Sequence, residues 1–141
     1  MPATDPPLFL KAPATPDVLD AVHDLLQRFW HRVTGIGDGD RMRFELAVAE
    51  VTANVVEHCH GTAQMTLSLF ESAEGVEATI DDDGEALPAD IIETASVPGD
   101  DLAESGRGLV LARDALDEFT YERSDGHNHW HLVRRDHSAS R

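Results

Sequence analysis

The sequence predicts an α+β fold, a two-layer α/β sandwich with helices on one face of a mostly antiparallel mixed sheet. Two observations carry this. Apolar residues recur at helical spacing through 18–33 and 41–58, and past Gly61 the period changes to two. The order that results is β-α-α-β-β-loop-α-β-β, and helices segregated to one face of hairpins pack as two layers.

Each element has its own warrant. Residues 8–12 (LFLKA) read as a short first strand. Thr15 suits an N-cap, Pro16 a first helical position and Asp17 the positive end of the helix dipole. Val18, Val22, Leu25 and Phe29, with Leu19, Leu26 and Trp30 beside them, give that helix a broad buried face to about Val33. The turn-rich GIGDGD (35–40) breaks it, and Asp40 can cap a second helix from Arg41 to His58, with Phe44, Val48, Val51 and Val55 as its core seam.

Met65, Leu67 and Leu69 then alternate with polar residues, SAEG (72–75) turns, and Val76, Ala78 and Ile80 alternate in their turn, which makes a β-hairpin. DDDGEALP (81–88) ends it. Residues 89–105 read as a long acidic loop with one helical turn near Ile91–Ile92, and such loops in compact domains are usually lids, binding loops or disordered segments. GRGLVLARDALD (106–117) is a helix opened by two glycines. EFTYER (118–123), a turn at SDGHN (124–128) and HWHLVRR (129–135) form the closing hairpin.

The chain of 141 residues fits one domain over 8–135, with 1–7 and 136–141 as flexible termini. A formal net charge of −16 without a basic stripe argues against a nucleic-acid or anionic-membrane partner. Cys59, the single cysteine, has no partner for an intrachain disulfide. No apolar run approaches membrane-spanning length and no secretory signal opens the chain, so a cytoplasmic location is the expectation.

Three polar features stand out. Glu50, Asn54 and Glu57 in AEVTANVVEHC (49–59) share one helix face. That stripe is either the wet side of an amphipathic helix or a site, in which an amide oxygen holds Mg²⁺ and a carboxylate orients or deprotonates a nucleophile. Asp82 follows the alternating Ile80 and points inward, where a carboxylate needs a donor such as a purine amine, and Gly84 lets backbone approach a ligand. SGRGL (105–109) is either a flexible helix opening or a phosphate cradle of bare N–H groups. His127, His129 and His131 alternate and face one way on a strand. With His58 and His60 they suggest zinc, but the recurring metal spacings are absent, and a polar outer strand face is the alternative.

In this order and spacing the features resemble the GHKL superfamily of ATP-binding domains. EVTANVVEH (50–58) looks like its N box, DDDGEALP its first glycine box and SGRGL its second. Within it the chain is most similar to the bacterial anti-sigma factor serine/threonine kinases. The resemblance implies the Bergerat ATP-binding fold, ATP and Mg²⁺ as cofactors, and a role for each motif residue. Glu50 would be the catalytic base or orienter and Asn54 the Mg²⁺ ligand. His58 would lie beside the phosphates, Asp82 would bond the adenine amine, and Gly84 and Ala86 would line the nucleotide. Ser105, Gly106, Arg107, Gly108 and Leu109 would cradle the phosphates, with 89–104 as lid. It further implies a homodimer that sequesters a sigma factor and phosphorylates a STAS-type anti-anti-sigma protein. The alternative is a module that acts by sequestration alone.

Three features depart from that pattern. Ala86 stands where a second glycine is expected, which strains the turn if φ is positive there. The lid carries Asp90, Glu93, Asp100, Asp101 and Glu104 but no Lys or Arg, which disfavours approach of an anionic nucleotide. Asn128 and His129 occupy positions where many relatives carry small hydroxyl residues.

Overall fold

The computed structural model describes residues 6–58, 63–87 and 104–137. Five strands form one sheet: β1 (Leu8–Pro13), β2 (Gln64–Glu71), β3 (Gly75–Asp82), β4 (Glu118–Ser124) and β5 (His127–Arg135). Their order is β1-β2-β3-β5-β4, and every neighbouring pair is antiparallel. The last strand is thus laid between its hairpin partner β4 and the earlier β3. This register sets Asp82 directly across from Asn128, and Arg123 across from Asn128 on the other side.

Three helices complete the α+β sandwich: α1 (Val18–Arg32), α2 (Asp38–His58) and α3 (Glu104–Asp114). The core is the one the periodicities predict. Val18, Val22, Leu25, Leu26 and Phe29 of α1 and Phe44, Val48, Val51 and Val55 of α2 are buried. They meet Met65, Leu67, Leu69, Val76, Ala78, Ile80, Trp130 and Leu132 from the inner sheet face. α3 packs chiefly on α2 and touches β4. Trp130 is stacked on by Phe119 and flanked by Tyr121, with ring centroids 5.9 and 4.6 Å away.

Several local expectations are corrected. The first helix starts at Val18, after a tight turn in which Val18 N donates to Thr15 O, and Asp17 makes no side-chain cap bond. Asp40 does not cap α2, which begins two residues earlier. Its carboxylate is buried at 5% exposure, where Oδ1 accepts from Arg134 Nε at 2.8 Å and Oδ2 from the His137 amide at 2.8 Å. A buried carboxylate needs such partners, and the Arg134 guanidinium from the facing sheet supplies them. α3 begins at Glu104, so both glycines lie inside its first turns and do not precede them. It ends at Asp114, since Asp117 N already donates to Val133 O in the sheet.

The β4–β5 turn is a two-residue one. Asp125 and Gly126 have φ of 53° and 78°, the left-handed pair that matches the twist of a hairpin. Among the described residues no helix is long and apolar enough to cross a membrane. Cys59, His60, the Ile91–Ile92 turn and residues 89–103 of the expected lid lie outside the described residues.

Candidate functional site

The polar stripe of α2 is not uniformly wet. Asn54 is buried at 3% exposure, Glu50 is half-buried and Glu57 is exposed. The i, i+4 spacing stacks Glu50 and Asn54 one turn apart, and His58 follows one turn later at the helix end. The Nε2 atom of His58 is buried and finds no hydrogen-bond partner among the described residues. A buried ring nitrogen in that state is uncommon.

α3 closes over the same face of α2. A Cβ at Gly108 would stand 3.0 Å from Glu50 Oε2, so the missing side chain lets this turn of α3 lie against the carboxylate. Ser105 and Gly106 belong to the first turn of α3, Arg107 is exposed and Leu109 is buried. The first amides of any α-helix lack intrahelical acceptors, and the dipole makes that end favourable for anions.

The second cluster forms where β3 ends. Asp82 is 2% exposed. Its Oδ1 accepts from Gly84 N at 3.0 Å and from Asn128 Nδ2 at 2.8 Å. The inward direction read from the alternation is therefore what the sheet produces. Gly84 and Ala86 are not in the left-handed region, which among the described residues holds Gly35, Asp125 and Gly126. Ala86 is exposed on ordinary backbone, so the methyl in place of a second glycine brings no φ strain.

Sequence reasoning missed what holds this segment. Tyr121 Oη accepts from Leu87 N at 3.3 Å and donates to Asn128 Oδ1. Arg123 Nη1 donates to Gly84 O at 2.7 Å and to Asn128 Oδ1 at 3.2 Å. Asn128 Nδ2 also donates to Glu85 O at 2.9 Å. The loop after β3 is thus pinned by three side chains of the closing hairpin. No motif announces Tyr121 or Arg123, and only the insertion of β5 between β3 and β4 brings them there.

The alternating histidines lie on the outer sheet face and spend themselves on acids. His127 and His129 contact opposite oxygens of Asp81 at 2.9 and 2.7 Å, and His131 contacts Glu77 at 2.7 Å. Among the described residues no three His, Cys, Asp or Glu side chains are grouped to hold a metal.

Comparison with known proteins bears on this arrangement. The family described as the histidine kinase-like ATPase domain matches residues 12–133. No curated protein matches the chain. Among solved structures, the RsbU and RsbW domains of Rv1364c from Mycobacterium tuberculosis superpose with a TM-score of 0.68 at 20% identity, over 93% of this chain and 32% of that one. The catalytic domain of the histidine kinase ThkA superposes with a TM-score of 0.59 at 12% identity, over 92% and 96%. The blue-light activated histidine kinase EL346 of Erythrobacter litoralis gives 0.58 at 14%, over 88% and 41%. This chain spans about a third of the length of the first of these. At such identities the superpositions establish the fold, while the family match over 12–133 establishes membership. The chain belongs to the histidine kinase-like ATPase domain family, on an α+β sandwich.

Proposed function

We propose that this chain is a Mg-ATP-dependent protein serine/threonine kinase of the anti-sigma type, which sequesters a sigma factor and phosphorylates a STAS-type antagonist. The observation that carries it is the packing of α3 on α2, which brings Gly108 against the half-buried Glu50 carboxylate. The residues present fit a nucleotide. Asp82 is an inward acceptor, Gly108 leaves space that a side chain would fill, and the His58 Nε2 atom is orphaned among the described residues.

Asp82 would accept the exocyclic amine of adenine. The leading amides of α3, with Arg107, would face the phosphates. Asn54 would hold Mg²⁺ through its side-chain oxygen, and the ion supplies neutralisation of phosphate charge when bound. Glu50 orients the attacking serine hydroxyl and takes its proton as the oxygen bonds to the γ-phosphorus and ADP departs. Little covalent chemistry falls to the protein, and positioning dominates. The neighbour whose description includes an RsbW domain supports the partner-switching context, and a homodimer is proposed with it. The site residues assigned from the motifs, the single domain over 8–135 and a cytoplasmic location are part of the same proposal.

The test is label transfer from γ-labelled ATP to a co-expressed STAS protein. Transfer is expected with the wild-type chain and is lost in Glu50→Ala, whereas ADP-dependent thermal stabilisation persists in that variant. Transfer that survives Glu50→Ala removes Glu50 from its role. Stabilisation without any transfer leaves a sequestering module.

A further inference from the structure

α2 carries two apolar seams. Phe44, Val48, Val51 and Val55 recur at intervals of four, three and four, and the sheet buries them. Met42, Leu46, Ala49, Ala53 and Val56 recur at four, three, four and three on the opposite side, since residues two apart lie roughly 200° round a helix. Met42 is 68% exposed and Leu46 41%, Ala49 and Ala53 are exposed, and Val56 is half-buried. A helix that is apolar on both sides wants cover on both, and alternate steps of four and three are the spacing of a seam between two helices. Among the described residues no element lies over the outer seam. Beside it α1 and α2 leave a groove of about 350 Å³, whose apolar walls include Leu19, Leu26, Met42 and Leu46.

We propose that the outer face of α2 is a self-association surface, on which α2 of a second copy of this chain lies antiparallel. The seam is complementary to itself in that arrangement. With Leu46 beside Ala49 of the second copy, Met42 falls beside the second copy's Ala53, and a two-fold axis repeats both contacts. Each large side chain then meets a small one, which is how facing layers interdigitate. A parallel pair would set Met42 on Met42 and Ala53 on Ala53, a crowded layer beside an empty one. The charges agree with the antiparallel register. Arg43 is exposed and lies seven residues before Glu50, on the same flank of the seam. Arg43 of each copy therefore stands across from Glu50 of the other. The other flank adds no loose acid, because Glu45 already accepts from Gln27 and Trp30. Two chains of formal charge −16 repel each other, so apolar burial must drive the pairing and salt must ease it. The homodimer proposed above gains its contact face in this way, and that face holds whether or not the chain transfers phosphate.

The test is sedimentation of the full chain over a wide range of concentration, followed by cross-linking that reports the register. Wild type is expected to pass from monomer to dimer as it is concentrated, and to dimerise more tightly as salt is raised. Leu46→Glu sets a charge in the centre of the seam and is expected to weaken pairing by about tenfold or more. Arg43→Glu is expected to weaken it by about threefold, as an exposed ion pair would. Should Leu46→Glu not fold, Arg43→Glu decides in the same direction. For the register, Met42→Cys and Ala53→Cys are made separately in a Cys59→Ser background. The two chains mixed are expected to form a disulfide-linked dimer on mild oxidation, while either alone stays uncross-linked. Cross-links as fast in one chain alone as in the mixture would overturn the antiparallel register. A dimer that Leu46→Glu leaves intact, or that salt dissociates, would overturn the seam as its contact. A monomer at every concentration would overturn self-pairing altogether and leave the seam to a helix of another protein.

Discussion

Gly108 lies against the carboxylate of Glu50: a methyl group at residue 108 would come within 3.0 Å of Oε2. The contacting atom is the end of a flexible side chain, so the helix accepts alanine by moving it. Alanine is also the better helix former, by up to about 1 kcal/mol. Gly108→Ala is therefore expected to leave the melting temperature unchanged or raise it, while the proposed phosphoryl transfer falls by about tenfold or more, because small displacements of the base proposed at Glu50 are costly. Paired melting curves and label-transfer rates check the split.

The buried ion pair at the far end of the sheet carries stability and not activity. Arg134 and Asp40 are 12% and 5% exposed in their side chains, with Arg134 Nη2 2.6 Å from Asp40 Oδ1. Arg134 Nη1 also donates to Ala115 O. Arg134→Ala strands a buried carboxylate and is expected to cost about 3–5 kcal/mol. Replacing both partners with apolar residues of similar volume is expected to restore much of that loss. Urea unfolding of the single and double variants measures both.

Asp117 contributes to the acid limb of stability. Burial by itself raises this carboxyl, but the hydrogen bond from Arg135 N, the contact with the His137 ring and the charges of His137 and Arg134 outweigh it, and the value ends below the usual carboxylate range. A carboxyl lowered in the folded state binds fewer protons there than in the unfolded chain. Its contribution is full above the unfolded value of about 3.9 and disappears as pH falls through the lower folded value. Asp117→Asn is expected to lower stability near neutrality by about 1 kcal/mol and to flatten the loss of stability below pH 4. Melting curves taken between pH 7 and pH 2 report both effects.

Gly75 is fixed by the sheet. A Cβ there would stand 2.2 Å from Arg134 O and 2.7 Å from Arg135 Cα, both backbone atoms that cannot step aside cheaply. Gly75→Ala is expected to destabilise the chain by about 1–3 kcal/mol through overpacking and displaced strand pairing, with loss seen in denaturant midpoints.

The layers and the core were legible because burial writes its period into the sequence. Val48, Val51 and Val55 at helical spacing and Met65, Leu67 and Leu69 at alternate positions are buried as those spacings require. The direction of Asp82 followed from the same alternation. Helix starts were less legible, since Asp40 has the chemistry of a cap and its guanidinium partner sits 94 residues away. The residues that hold the loop after β3 were invisible for a related reason. Tyr121 and Arg123 read as ordinary members of a strand, and strand order is set by three-dimensional packing that no local period records.

Laying β5 between β3 and β4 also dictates a schedule for the newborn chain. Until β5 has left the ribosome, β3 keeps an open edge, and Asp82 has no Asn128 across from it. Pairings that distant in sequence form late and slowly. A nascent chain stalled before His127 thus carries the whole of β3 and its loop, yet leaves Asp82 without the residue that faces it across the finished sheet.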